Sequence, residues 1–210
     1  MSTMPSMTPP TSAVMDNTTK SLRGTKTEKN LCDAYIAESC AYSRYTFFAK
    51  QAQKENYFQY SNLFTETAEN ELHHAKIFFK YMSEGNVMSS ASNVDAGIIG
   101  TTADNLKVAA EEEQTEGVDA YVKAAKEAEE EGFFDIASHF KAIAEIEAHH
   151  ERRFRKMRER IEEGTVWKRE KPIKWQCLVC GYIYEGTEPP VKCPACDHPY
   201  QHYMPMEDNI

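Results

Sequence analysis

The chain has 210 residues, of which 27% are charged, and a formal net charge of −9, enough for one medium domain plus a small one. Its acidity argues against nonspecific nucleic-acid binding, and no apolar run approaches the roughly 18 residues that a membrane span needs.

Residues 1–24 are rich in Ser, Thr, Met and Pro and lack an apolar centre. They read as a disordered tail rather than a secretory signal, and Met15 offers a second start. Thr25-x-x-Glu28 has the form of a capping box, and helix-favouring sequence follows to about Lys54. A second helical run goes from Tyr57 to about Glu84 and stops at Gly85. Residues 85–100 carry Gly, Ser and Asn without a sustained period and read as a long crossover. A third helix is expected from about Thr102 to Glu131, with Gly132 just past its end, and a fourth from Phe133 to Glu163, ending at Gly164. Two helices, a long connection and two more helices fit a four-helix bundle with one crossover over residues 25–164.

The two halves repeat. AENELHH at 68–74 and AEIEAHH at 144–150 share the pattern A-E-x-E-x-H-H, 76 residues apart. ENYFQYSNLF at 55–64 and EGFFDIASHF at 131–140 align at the same offset, so a duplicated helical hairpin is the simplest reading.

Apolar spacing fixes the inward face. Phe64, Glu71, His74, Phe78 and Met82 share one stripe, and Phe140, Glu147, His150, Phe154 and Ile161 share its counterpart. His73 and His149 are turned roughly 100° away. On the first helix Glu38 lies between Leu31 and Ala34 on one side and Tyr42 and Tyr45 on the other. On the third, Glu113 follows Leu106 and Ala109, Glu116 comes one turn later, and Ala120 and Ala124 continue the stripe. Glu111 and Glu112 are expected in solvent, and Cys32 and Cys40 as buried thiols. Tyr42, Tyr45 and Tyr121 read first as core aromatics, with Tyr45 and Tyr121 also placed to bond ligand carboxylates.

Burying so many carboxylates unpaired costs several kcal/mol each or forces them to protonate. A pair of divalent cations removes that cost, and carboxylate oxygen with imidazole suits iron, manganese or zinc. A Glu from each of two helices and Glu-x-x-His from each of the other two is the ligand plan of di-iron bundles. Glu38, Glu113, Glu71-x-x-His74 and Glu147-x-x-His150 match it, with Glu116 as a seventh candidate.

After a charged linker at 165–172, the segment 173–210 contains CLVCGYIYEGTEPPVKCPAC, a C-x2-C-x12-C-x2-C pattern formed by Cys177, Cys180, Cys193 and Cys196. Paired cysteines in a chain without a signal point to metal ligation in a reducing compartment, here the cytoplasm. Four thiolates make a tetrahedral site for zinc or iron. Trp175, Tyr182, Tyr184, Tyr200 and Tyr203 are expected to form the small domain's aromatic core. A redox bundle needs an electron source, which favours iron.

Taken together, Glu38 in AESCAYSRY, ETAENELHHAK, Glu113 with Glu116, Glu147-x-x-His150 and CxxCGYxYEG…CPAC resemble the rubrerythrins from about Ser21 to Tyr203. The resemblance implies a ferritin-like di-iron bundle fused to a rubredoxin-like domain. It implies a peroxidase that reduces hydrogen peroxide to water in oxidative-stress defence. Glu38, Glu71, His74, Glu113, Glu116, Glu147 and His150 would be the di-iron ligands and the four cysteines the ligands of a third iron. It further implies that one iron moves between Glu116 and His74 with redox state. The electron donor would be a rubredoxin or an NAD(P)H-dependent reductase, and the assembly a head-to-tail homodimer or one built from it, with no nucleic-acid or membrane partner. The alternative is a ferroxidase of the iron-storage type, against which the attached four-cysteine module argues. His149, where the family often has an apolar residue, and the long tail are the departures.

Overall fold

The computed structural model describes residues 20–89 and 97–206; the expected tail lies almost wholly outside them, as does the middle of the crossover. The chain order is α1 (Lys26–Lys54), α2 (Phe58–Tyr81), α3 (Thr102–Glu112), a π-helical segment (Glu113–Asp119), α4 (Ala120–Glu130) and α5 (Phe134–Glu162). α3, the π segment and α4 run on without a break, so four rods form the ferritin-like bundle. Among the described residues no helix is long and apolar enough to cross a membrane.

Local chemistry sets the helix ends. The Thr25 hydroxyl accepts from the Glu28 amide at the start of α1, and Thr101 with Asp104 forms a reciprocal capping box on α3. Gly132 at φ 78° turns the chain between α4 and α5, a left-handed conformation that glycine adopts without steric cost. α2 ends at Tyr81, three residues before the expected stop.

Two aromatic layers fill the bundle. Phe78, Phe140 and Tyr121 pack in one, with ring centroids 5.0 Å apart for Phe78 and Phe140. Tyr45, Phe48, Phe64 and Phe154 pack in the other, where Phe154 lies 5.3 Å from Phe64 and 5.4 Å from Tyr45. Tyr42, expected in the core, is 37% exposed; it is rotated roughly 40° from Glu38, to the edge of the buried stripe. Cys32 is buried and Cys40 only half-buried.

The C-terminal domain is a three-stranded antiparallel sheet of order β2-β1-β3, with β1 Ile173–Cys177, β2 Ile183–Gly186 and β3 Tyr203–Pro205. Its core is Trp175, Cys177, Cys193 and Tyr203. Tyr182, Tyr184 and Tyr200 are exposed, contrary to expectation. So small a sheet has one buried centre, and β2 is an edge strand with its side chains in solvent. The domain docks on the end of the bundle where α2 begins: His202 stacks on Phe58 at 3.9 Å, and Trp167 from the linker stacks on Tyr57 at 5.6 Å. Replacing Phe154 by Ala should lower the unfolding free energy by about 3–5 kcal/mol, measured by urea titration, while leaving the four-cysteine domain intact.

Candidate metal centres

The bundle axis carries six ligand-type side chains between its two aromatic layers. Glu38, Glu71, Glu113, Glu147, His74 and His150 are each 5% exposed or less. They form two groups, Glu38–Glu71–His74–Glu147 and Glu71–Glu113–Glu147–His150, in each of which the ligand atoms lie within 4.8 Å of one another. Glu71 and Glu147 belong to both, as bridging carboxylates would. The duplication explains the pairing: the same Glu-x-x-His spacing on α2 and α5 aims His74 Nδ1 to 2.9 Å from Glu71 Oε2 and His150 Nδ1 to 2.9 Å from Glu147 Oε2. Each histidine also faces the other hairpin, His74 at 3.0 Å from Glu147 Oε1 and His150 at 3.2 Å from Glu71 Oε1.

Those last two oxygens are the test of fit. Glu71 Oε1 and Glu147 Oε1 are buried, and apart from the imidazole edges at 3.2 and 3.0 Å neither has a hydrogen-bond partner. An orphaned buried carboxylate oxygen is strongly unfavourable unless a cation takes its lone pair. Two shared carboxylates with one free oxygen each, an imidazole for each group and a terminal carboxylate for each suit a pair of divalent ions.

Neighbouring groups hold the ligands in place. The Tyr45 hydroxyl donates to Glu113 Oε1 and the Tyr121 hydroxyl to Glu38 Oε1, each at 2.7 Å. Asn70 lies 3.4 Å from His150 Nε2 and fixes the ring edge remote from the cluster. Asn70 was not legible as a site residue, although the asymmetry of the repeat, Asn70 against Ile146, is a signal that could have marked it.

The π segment alters the third rod's face. Its wider turn puts Gly117, not Glu116, beside the cluster. A Cβ on residue 117 would stand 2.6 Å from Glu147 Cγ and 2.7 Å from Glu147 Cβ, so only glycine lets α5 approach here. Glu116 sits at the cavity mouth with its side chain 48% exposed, and outside both groups. The same shift leaves Ala120 exposed and Tyr121 buried. Glu112, expected in solvent, is 11% exposed and pairs with the buried Arg44 at 2.7 Å. His73 and His149 are both exposed, off the cluster.

Electrostatics follow from the burial. Burial and then neighbouring carboxylates push Glu113 well above the ordinary range; burial also dominates at Glu38, with Glu71 and Glu147 adding to it. Glu147 goes the other way: burial would raise it, but hydrogen bonds to His150 and His74 outweigh that and bring it to about 2. His74, despite burial, is pushed up to about 12 by hydrogen bonds to Glu147, Glu38 and Glu71. His150, opposed by burial in the same way, is raised to about 9 by Glu147 and Glu71.

In the C-terminal domain the sulfurs of Cys177 and Cys196, and of Cys180 and Cys193, are 3.7 Å apart. A tetrahedron with metal–sulfur bonds of about 2.3 Å has edges of about 3.8 Å, so the four thiolates already have the spacing of a metal site. The two Cys-x-x-Cys turns are copies of one another. Gly181 at φ 77° and Asp197 at φ 63° follow the second cysteine of each, and their amides donate to Cys177 O and Cys193 O at 2.9 Å. Backbone N–H groups of Tyr182, Ala195, Cys196 and His198 face the sulfurs, which favours the charged thiolates.

A four-helix bundle with two Glu/His groups sharing two carboxylates, followed by a four-cysteine knuckle, defines a ferritin-like di-iron protein with a rubredoxin-like domain. Comparison with known proteins places it further. Residues 29–158 match the rubrerythrin family and residues 175–204 its rubredoxin-like domain. Rubrerythrin of Porphyromonas gingivalis is 48% identical over 190 residues, covering 90% of this chain and 94% of that one. Rubrerythrin-1 of Clostridium acetobutylicum is 44% identical over 194 residues, covering 90% and 99%. The solved structure of fully reduced, all-ferrous nigerythrin superposes with a TM-score of 0.59 at 29% identity, covering 92% and 91%. The chain belongs to the rubrerythrin family. Its bundle carries a carboxylate/histidine di-iron site, and its C-terminal domain a site formed by Cys177, Cys180, Cys193 and Cys196.

Two outcomes follow from this geometry. Gly117→Ala should keep the helical content but displace Glu147 and sharply weaken metal uptake by the bundle, read by calorimetric titration with ferrous iron under anaerobic conditions. In the metal-free protein, His74 and His150 rise from 6.5 to about 12 and about 9. Their contribution is therefore complete below about pH 6.5 and fades as pH climbs toward those values. The raised Glu38 and Glu113 lose theirs in the same direction, above 4.5. Within the cluster Glu147 works oppositely, losing stability as pH falls from 4.5 toward about 2. The metal-free melting temperature should thus fall from about pH 6.5 to about pH 9, while the gain on adding metal grows, since metal takes the deprotonated ligands. A gain independent of pH would contradict this.

Proposed function

We propose that the protein is a non-haem di-iron peroxidase that reduces hydrogen peroxide to water in defence against oxidative stress, with electrons relayed through the four-cysteine iron. Its di-iron ligands are Glu38, Glu71, His74, Glu113, Glu116, Glu147 and His150. The observation that carries this reading is the presence, in one chain, of a buried two-metal carboxylate cluster and a four-thiolate site. Loaded with iron, the cluster would supply one electron from each ion and the Lewis acidity that assists O–O cleavage, the two electrons and two protons converting one peroxide to two waters.

The protein's own part is positional. Tyr45 and Tyr121 hold Glu113 and Glu38, Asn70 holds His150, and the aromatic layers above and below exclude bulk water. The cavity over the cluster is lined by Ala37, Ala41, Gly117 and the ligand carboxylates and leaves about 20 Å³ for the centre of a water-sized molecule. That is room for about one water, and it favours a substrate as small as peroxide over the apolar substrate of an oxygenase.

The domain arrangement bears on electron delivery. The four-cysteine domain touches Phe58 at the start of α2, thirteen residues from Glu71, which at 1.5 Å per residue is about 20 Å. A head-to-tail homodimer would bring each four-cysteine iron beside the partner's cluster, with a rubredoxin or an NAD(P)H-dependent reductase as the donor. The test combines Cys177→Ser chains with Glu147→Ala chains. Neither homodimer should reduce peroxide with the donor, whereas the mixed dimer should regain activity. The Cys177→Ser protein, chemically prereduced, should still react once with peroxide. Loss of that single reaction would contradict the peroxidase assignment to the bundle. An inactive mixed dimer would contradict delivery between subunits.

A further inference from the structure

Arg44 and Glu112 belong to neither metal group, yet both stand at the site. Arg44 is 8% exposed and precedes Tyr45, the hydrogen-bond donor to Glu113. Its Nη1 is 2.7 Å from Glu112 Oε1 and its Nη2 is 3.9 Å from Glu116 Oε2. Its Nε is buried without a hydrogen-bond partner. With Glu112 and Glu116 it lines the cavity whose inner wall is Glu38, Glu71, Glu113 and Glu147.

A guanidinium keeps its charge in such a place, and its fork serves two carboxylates at once only when both fit its geometry. Here two carboxylates compete for one fork. Glu112, 11% exposed, holds the tight position; Glu116, 48% exposed, holds the loose one. Both flank Glu113 on the same rod, and the π segment between them sets their separation. We propose that Arg44 is a positioning residue whose division between Glu112 and Glu116 sets how readily the Glu116 carboxylate turns from the cavity mouth onto the metals. This rests on the reading of Glu116 as a ligand. Glu112 acts as the competitor that keeps Arg44 from capturing Glu116.

The inference gives variants of opposite sign. Glu112→Gln removes the competitor, so Arg44 closes on Glu116 and withholds it. The double variant Arg44→Gln/Glu112→Gln removes the guanidinium without leaving a buried charge unpaired and releases Glu116 toward the metals. The metal-free, full-length protein is titrated with cobalt(II), whose visible bands report ligand number. Glu112→Gln should weaken the affinity of the bundle by about threefold or more and reduce the ligand number. The double variant should strengthen affinity by a similar factor. Structural damage would weaken both, so weakening of both variants, or no change in either while Glu116→Gln alters the bands, overturns the role of Arg44. If Glu116→Gln leaves affinity and bands as they are, the ligand reading of Glu116 fails instead, and the inference with it.

Discussion

Everything in the bundle depends on the repulsion among four glutamates buried together. Glu38, Glu71, Glu113 and Glu147 are each at most 5% exposed, and Glu38 and Glu113 each lie within a few ångströms of the shared pair Glu71 and Glu147. Desolvation and mutual charge would protonate or expel them in an apolar core. Two histidines take up part of this strain, which is why His74 is held so far above an ordinary imidazole. They cannot take up all of it, because two imidazoles face four carboxylates, and Glu71 Oε1 and Glu147 Oε1 have no partner besides those rings. The aromatic layers, the tyrosine hydroxyls and the close approach at Gly117 hold that cluster together against its own charge. The fold is thus a device for maintaining an electrostatic deficit that metal ions relieve.

Much of this was legible because of two periodicities. The duplication of A-E-x-E-x-H-H gave the pairing of Glu71 with His74 and Glu147 with His150, and the 3.6-residue stripe turned them inward along with Glu38 and Glu113. Helix ends were legible from Thr25, Gly132 and Gly164. What failed was whatever a straight helix does not contain. A regular third helix places Glu116 and Ala120 on the inner face and Glu112 outside. From Glu116 on, the π segment shifts the inner face by one position, to Gly117 and Tyr121, and no composition signal in EQTEGVD announces that wider turn. Arg44 was invisible for a related reason: an arginine's partner lies across the bundle, outside any local pattern. In the small domain, counting aromatics overstated the core, since three short strands bury Trp175 and Tyr203 and leave the other rings in solvent.

The two metal sites solve the same problem by different means. The bundle site gathers ligands from helices far apart in sequence, so it requires the whole core to be assembled. The four-cysteine site takes its ligands from two tight turns whose amides point at the sulfurs, so it needs little more than local backbone. Among the described residues the domains meet at one end of the bundle, where Tyr57 and Phe58 stack on Trp167 and His202.

The central claim is that the buried charge of the bundle exists to hold two metal ions, with a third held by thiolates. Metal analysis of the protein purified without oxygen, joined to its visible spectrum, tests this most directly. About three iron ions per chain, one of them giving thiolate charge-transfer bands that vanish on reduction, is the predicted result. A single zinc per chain with none in the bundle, and no colour, would contradict the account.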